Sequence, residues 1–105
     1  MKTDEIKGLM RSLGARKSEI SVYIALLRMR SEAPISKILE HVNLSEKTVR
    51  TALDSLIRRG LVVRTGKGRG TKYRARGVRT LMRLVKKKIE EGVQEIFTHL
   101  QYRSS

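Results

Sequence analysis

Lys47, Arg50 and Thr51 fall at i, i+3 and i+4 within the stretch SEKTVRTALDSLIRRG, so a helix there carries an ammonium, a guanidinium and a hydroxyl on one face. That set bonds phosphate oxygens and base edges, and the Arg50 guanidinium can hold a guanine through two parallel hydrogen bonds. A few residues on, Lys67 and Arg69 alternate with Gly66, Gly68 and Gly70, and Lys72 follows. Cations on a glycine-rich backbone can approach a phosphate chain closely. Catalytic chemistry has no comparable footing: no paired carboxylates, nucleophile with its base or metal-ligand cluster stands at a recognisable spacing. His41 and His99 are far apart and lack a ligand partner, so no metal, no cofactor and no enzymatic activity are expected. The three glycines lack a following helix start and a lysine-serine pair, which argues against a nucleotide-binding loop.

The elements that must position these cations are marked locally. Ser45 is suited to cap a helix N-terminus, Glu46 complements its dipole, and Gly60 can close its C-terminus. Val49, Ala52, Leu53, Leu56 and Ile57 form a buried stripe, leaving Glu46, Lys47, Arg50, Thr51, Asp54, Ser55 and Arg58 outward. Glu46 and Asp54 are expected to orient neighbouring Arg or Lys, or to cap the helix, and not to bind phosphate. The segments LVVRT and TKYRA then flank the loop GKGRG, the composition of a β-hairpin with a flexible tip.

Charge supports a polyanionic partner. The chain of 105 residues carries a formal charge of +14, and residues 55–89 hold 13 Lys or Arg with no Asp or Glu. The rest of the chain is nearly balanced, with 11 basic and 10 acidic residues. A single-sign field of this kind costs self-repulsion, which a bound polyanion relieves. At this length one domain with a modest aliphatic core is expected. Cysteine is absent, excluding disulfides and thiolate metal sites. No apolar run approaches a membrane span, and MKTDEIKG lacks the apolar segment of a secretion signal, so a cytoplasmic, nucleoid-associated protein is expected.

Upstream, Thr3 as a cap with Ile6, Leu9, Met10 and Leu13 predicts a first helix ending at Gly14. Residues 16 to about 31 predict a second, with Ile20, Tyr23, Ile24 and Leu27, joined by Val22 or Leu26, on a broad apolar face. Pro34 opens a third over residues 35–42, and Asn43 and Leu44 make the turn into the fourth. A short helix, a tight turn and a second helix is the helix-turn-helix arrangement, and the hairpin after it supplies a wing.

With the order of these motifs in view, LGARKSEISVYIALL followed by PISKILEHVNLSEKTVRTALDSLIRRGLVVRTGKGRGTKYRA resembles the winged-helix domain of TrmB-type and MarR-like prokaryotic transcription regulators. The resemblance covers roughly residues 9–75. It implies that Lys47, Thr48, Arg50 and Thr51 approach bases or nearby phosphates, while Lys67 and Arg69 reach an adjacent groove or backbone. Arg16 stands where the second helix usually has a capping Ser or Thr. The larger ligand-sensing region of TrmB-type proteins has no counterpart here, so no small-molecule effector is expected.

Past Gly77 the sequence predicts one long helix with Val78, Leu81, Met82, Val85, Ile89, Val93, Ile96, Phe97 and Leu100 at three- and four-residue intervals. About 23 residues at ~1.5 Å each span roughly 35 Å, more than a small core covers, so the stripe is expected to pair with a second copy. Gly92 interrupts it, and Lys86 to Lys88 precede Glu90, Glu91 and Glu95 without fixing the direction of pairing. The alternative of a helix lying on an anionic membrane is less economical.

The expected architecture is therefore mainly α with a small β-hairpin: a winged helix-turn-helix over residues 1–76 and a dimerisation helix with a short tail over 77–105. The expected function is sequence-specific binding of double-stranded DNA as a homodimer, regulating transcription. Helix 45–59 would enter the major groove and wing 66–70 would lie on the backbone or minor groove. The DNA-binding set is then Ser45, Lys47, Thr48, Arg50, Thr51, Lys67, Arg69 and Lys72. Architectural, non-specific DNA binding uses the same contacts. A protein-interaction adaptor would turn the basic face toward an acidic protein, and RNA binding is disfavoured by the lack of an aromatic stacking platform.

Overall fold

The computed structural model describes residues 2–104, with side chains described for residues 2–101. Five helices and one hairpin follow in the order α1 (Thr3–Ser12), α2 (Lys17–Met29), α3 (Ile35–Leu39), α4 (Glu46–Arg59), β1 (Val62–Thr65), β2 (Lys72–Ala75) and α5 (Val78–Ser104). A winged helix-turn-helix with a long final helix is the result.

Local chemistry sets most boundaries. Ser45 precedes α4 in extended conformation and its hydroxyl oxygen accepts the Thr48 N–H at 3.2 Å, while Gly60 closes the helix at φ +82°. The end of α2 departs from expectation: it stops at Met29, and Arg30 takes the left-handed position at φ 58° instead of the helix running to Ser31. Thr3 is the first helical residue of α1 and not its cap, which is Lys2. Likewise α3 ends at Leu39, so the segment 40–45 forms the turn of the helix-turn-helix and His41 and Val42 lie outside the helix. Arg16 caps α2 without a side-chain acceptor, since a guanidinium has none. Glu19 reaches back instead, its carboxylate accepting the Arg16 N–H at 2.7 Å.

The strands pair antiparallel, with Val62 opposite Ala75 and Arg64 opposite Tyr73. Outside the expected elements, Ala33 adds a single-residue bridge to Tyr73, exchanging hydrogen bonds of 2.9 and 2.8 Å with it. That bridge ties the entry of α3 to the wing. Around it the aliphatic core is continuous: Met10, Val22, Tyr23, Leu26, Ile38, Val49, Leu53, Leu56 and Leu61 are all buried. Both Val22 and Leu26 belong to it, so the apolar face of α2 is wider than its most regular spacing suggests.

The first turns of α5 complete this core. Leu81 and Val85 are buried in it, Val78 and Leu84 pack at its edge, and the Lys88 ammonium donates to the Ser12 carbonyl at 2.9 Å, fixing α5 against the end of α1. The expected boundary between residues 76 and 77 falls in a loop, but the core runs across it. Beyond Lys88 the helix projects away, and the molecule measures 59 × 29 × 23 Å.

Candidate nucleic-acid interface

Two features meet on one side of the molecule: the exposed face of α4 and the wing. On α4, Lys47, Arg50, Thr51 and Asp54 are exposed. The Ser45 hydroxyl donates to Thr48 Oγ1 at 2.8 Å, so these two side chains are engaged with each other at the helix start. Thr51 donates to the Lys47 carbonyl at 3.0 Å. Arg50 Nε donates to Glu46 Oε2 at 3.2 Å, one turn earlier, which extends its guanidinium along the helix surface. Both groups are more than half exposed, so the pair is an orienting contact of little energetic weight.

The wing tip is a folded turn. Residues Gly68–Gly70 make one turn of 3-10 helix, and the Thr71 hydroxyl donates to the Gly68 carbonyl at 2.8 Å. Gly66 is at φ +79°, and a Cβ there would overlap the Gly70 carbonyl, so only glycine lets the loop close. Lys67 and Arg69 stand exposed on this frame. Lys72 is exposed beside buried Tyr73, so strand alternation puts it on the outer face of the hairpin, away from α4.

Between wing and helix runs an open cleft of about 490 Å³, whose walls include Arg50 and Asp54 from α4, Arg64 from β1 and Arg69 from the tip, with Pro34, Ile35 and Tyr73 at its apolar side. Arg64 is a residue that reasoning from helix face and wing tip missed. The signal was present in the period of two: Arg64 lies two residues after buried Val62 and opposite Tyr73, hence on the hairpin face turned toward α4.

A buried ionic group braces α4 from behind. Glu19, 2% exposed, lies at the start of α2 and receives hydrogen bonds from the Arg16 N–H, the Ser55 hydroxyl and Arg59 Nε, the last at 2.9 Å. Burial pushes its carboxyl up, but these donors and the Arg59 charge outweigh burial and hold its pKa below the usual value. Ser55, expected to face outward, is therefore turned into this cluster. Arg59 also donates to the Leu13 and Gly14 carbonyls, at 2.8 and 3.2 Å. Tyr23 supports the wing: its hydroxyl donates to the Arg76 carbonyl at 2.7 Å, and burial pushes its pKa up to about 12.

The expected dimerisation stripe divides in two. Leu81 and Val85 serve the protein's own core, whereas Met82, Ile89, Val93, Ile96, Phe97 and Leu100 are 48–63% exposed. Among the described residues, no group of three or more His, Cys, Asp or Glu is arranged to hold a metal, and no helix is long and apolar enough to cross a membrane. His41 Nδ1 lies 3.0 Å from the Lys37 carbonyl, a local helix-end contact.

A family model described as the sugar-specific transcriptional regulator TrmB matches residues 9–86. No curated protein matches. Among solved structures, the chain is similar to TrmBL2, an archaeal chromatin protein whose structure shows a novel mode of DNA binding. The TM-score is 0.78 and the identity 16%, over 98% of this chain and 40% of that one. A possible transcriptional regulator from Methanosarcina mazei Go1 superposes with a TM-score of 0.76 at 13% identity, over 97% of this chain and 88% of that one. The ST1889 protein of the thermoacidophilic archaeon Sulfolobus tokodaii gives 0.69 at 22% identity, over 89% and 99% of the two chains. At these identities the likenesses show the fold, and the chain spans 40% of the length of the chromatin protein.

Proposed function

The chain belongs to the TrmB family of transcriptional regulators, and on that premise we propose that it binds double-stranded DNA sequence-specifically, as a homodimer, to regulate transcription. The observation that carries this reading is the shared orientation of the two cationic elements: α4 and the wing wall the same cleft, so one duplex can meet both. α4 has the dimensions of a major-groove reader, and its exposed Lys47, Arg50 and Thr51, with Ser45 and Thr48 at its start, supply donors and acceptors for bases and flanking phosphates. Lys67 and Arg69 meet the neighbouring backbone or minor groove, and Lys72 adds to the field around the wing. No small-molecule effector and no catalytic step form part of this reading.

The dimer follows from the exposed half of α5. Met82, Ile89 and Ile96 recur every seven residues, as do Val93 and Leu100, which is the spacing of a two-helix seam. In that register Arg79 and Lys86 also fall on the seam, and a parallel pair would set each against its own copy. An antiparallel pair sets them against the apolar C-terminal half and brings the run Lys86 to Lys88 alongside Glu90, Glu91 and Glu95.

Architectural coating of DNA without sequence preference is the second reading, favoured by the concentration of positive charge between residues 55 and 89. Selection from a random duplex pool, followed by competition binding, separates the two. A regulator enriches a two-fold symmetric motif preferred about 10³-fold or more over random duplex, whereas an architectural protein enriches none.

A further inference from the structure

The cleft between wing and α4 holds more positive charge than its internal contacts explain. Arg50, Arg64 and Arg69 line it together with Asp54, yet Arg50 alone among the four side chains has a hydrogen-bonded or ionic partner, Glu46, which lies along its own helix. Three guanidiniums lining one trough repel one another, and the single Asp54 carboxylate in the same wall balances only one of them. Arg64 is the least expected of them. It rises from the hairpin face that carries buried Tyr73, so it points between the two DNA-reading elements and not outward with Lys72 and Arg74.

We propose that this cleft is a phosphate site in which Arg64 is the central ligand, and that it receives one phosphodiester group of the DNA strand running between the groove read by α4 and the groove met by the wing. The inference rests on the DNA-binding reading above. The trough, at about 490 Å³ and open to solvent, is larger than one phosphate needs, which suits a passing strand better than an enclosed ion. Arg69 closes it from the tip and Arg50 from the helix. Asp54 is the opposing group: its carboxylate stands in the same wall, so it weakens any phosphate there and limits indiscriminate binding of backbone.

Titration of duplex binding against salt concentration tests this with Arg64→Gln, Arg64→Lys and Asp54→Asn beside the unaltered protein, each first checked for unchanged thermal unfolding. Loss of one phosphate contact lowers the slope of log affinity against log salt by about 0.9 and the affinity about tenfold, on operator and random duplex alike. Arg64→Lys keeps the slope, and Asp54→Asn binds random duplex several-fold more tightly. An unchanged slope in Arg64→Gln, or weaker random-duplex binding by Asp54→Asn, would overturn the proposal. Exchange of chloride for inorganic phosphate at matched ionic strength forms the other arm. It leaves duplex affinity unaltered or lowers it, through Arg64, if the occupant is the strand. Duplex affinity that rises with millimolar phosphate, and no longer does so in Arg64→Gln, would reassign the site to a free anion bound beside the duplex and overturn the strand as its occupant. Failure of the unaltered protein to bind any duplex counts against the DNA-binding reading itself.

Discussion

Arg59 Nε lies 2.9 Å from Glu19 Oε1, joining the last turn of α4 to the first turn of α2 across 40 residues of sequence. The same guanidinium caps the carbonyls of Leu13 and Gly14 at the end of α1. Three helix ends thus converge on one charge pair behind the exposed face of α4.

Breaking this pair is costly because the remaining charge stays largely enclosed, Arg59 being 28% exposed. Glu19→Ala is expected to destabilise the fold by about 3 kcal/mol, measured by denaturant unfolding. The pH dependence has a definite sign. Hydrogen bonding and the Arg59 charge hold the folded-state Glu19 pKa below its usual 4.5, so its stabilisation is fully present above about pH 4.5 and is lost as pH falls through the lower folded value. The stability difference between the unaltered protein and Glu19→Gln should therefore narrow on acidification below pH 4.5.

Tyr23 carries a second long-range tie. Removing its hydroxyl in Tyr23→Phe leaves the Arg76 carbonyl without this donor and should cost about 1 kcal/mol in thermal or denaturant unfolding. With its pKa raised to about 12, the folded protein keeps Tyr23 neutral through pH 10, where an unfolded tyrosine is half ionised. Its ultraviolet ionisation signal should appear near pH 12, and stability should decline as pH rises from 10 toward 12.

Gly66→Ala addresses the wing alone. The added methyl meets the Gly70 carbonyl in a backbone conformation that L residues rarely adopt, so the tip must open. Because Gly66 lies outside the core, duplex affinity should fall at least several-fold while the melting temperature moves by only a few degrees, read by anisotropy and circular dichroism respectively.

Leu81 and Ile96 separate the part of α5 that packs in the core from its exposed apolar stripe. Leu81 is fully buried and Ile96 is 63% exposed. Leu81→Ala should destabilise folding by about 3 kcal/mol. Ile96→Asp, combined with Phe97→Asp, should leave the winged unit folded and shift sedimentation from dimer to monomer. A dimer undisturbed by both aspartates would place the subunit contact elsewhere.

These distinctions mark how far the sequence speaks for itself. The limits of α4 were legible because Ser45 and Gly60 act locally, and the hairpin because its glycine loop interrupts two β-prone runs. The Glu19–Arg59 pair was not, since nothing local reports a contact across 40 residues; Ser55 looked like a surface serine for the same reason. The apolar stripe of α5 is continuous in sequence, and periodicity alone does not reveal that the core ends after Val85. Ala33 forms a one-residue bridge, too short for any period. In the candidate interface, exposed cations on α4 and at the wing tip were readable from spacing. The inward turn of Arg64 needed the strand register.

Duplex binding by a variant carrying both Arg50→Ala and Lys67→Ala is the most direct test of the central claim, because one change removes the proposed base-reading group on α4 and the other the proposed backbone-contacting cation on the wing. Each is expected to cost about 1–3 kcal/mol of binding free energy, Arg50→Ala with relaxed sequence preference and Lys67→Ala with a salt slope reduced by about one. Measured by fluorescence anisotropy across a salt series, the double variant should bind at least about thirtyfold more weakly than the unaltered protein. Equal affinity and equal salt slope for the two proteins would contradict the assignment of α4 and the wing as the DNA-binding surface.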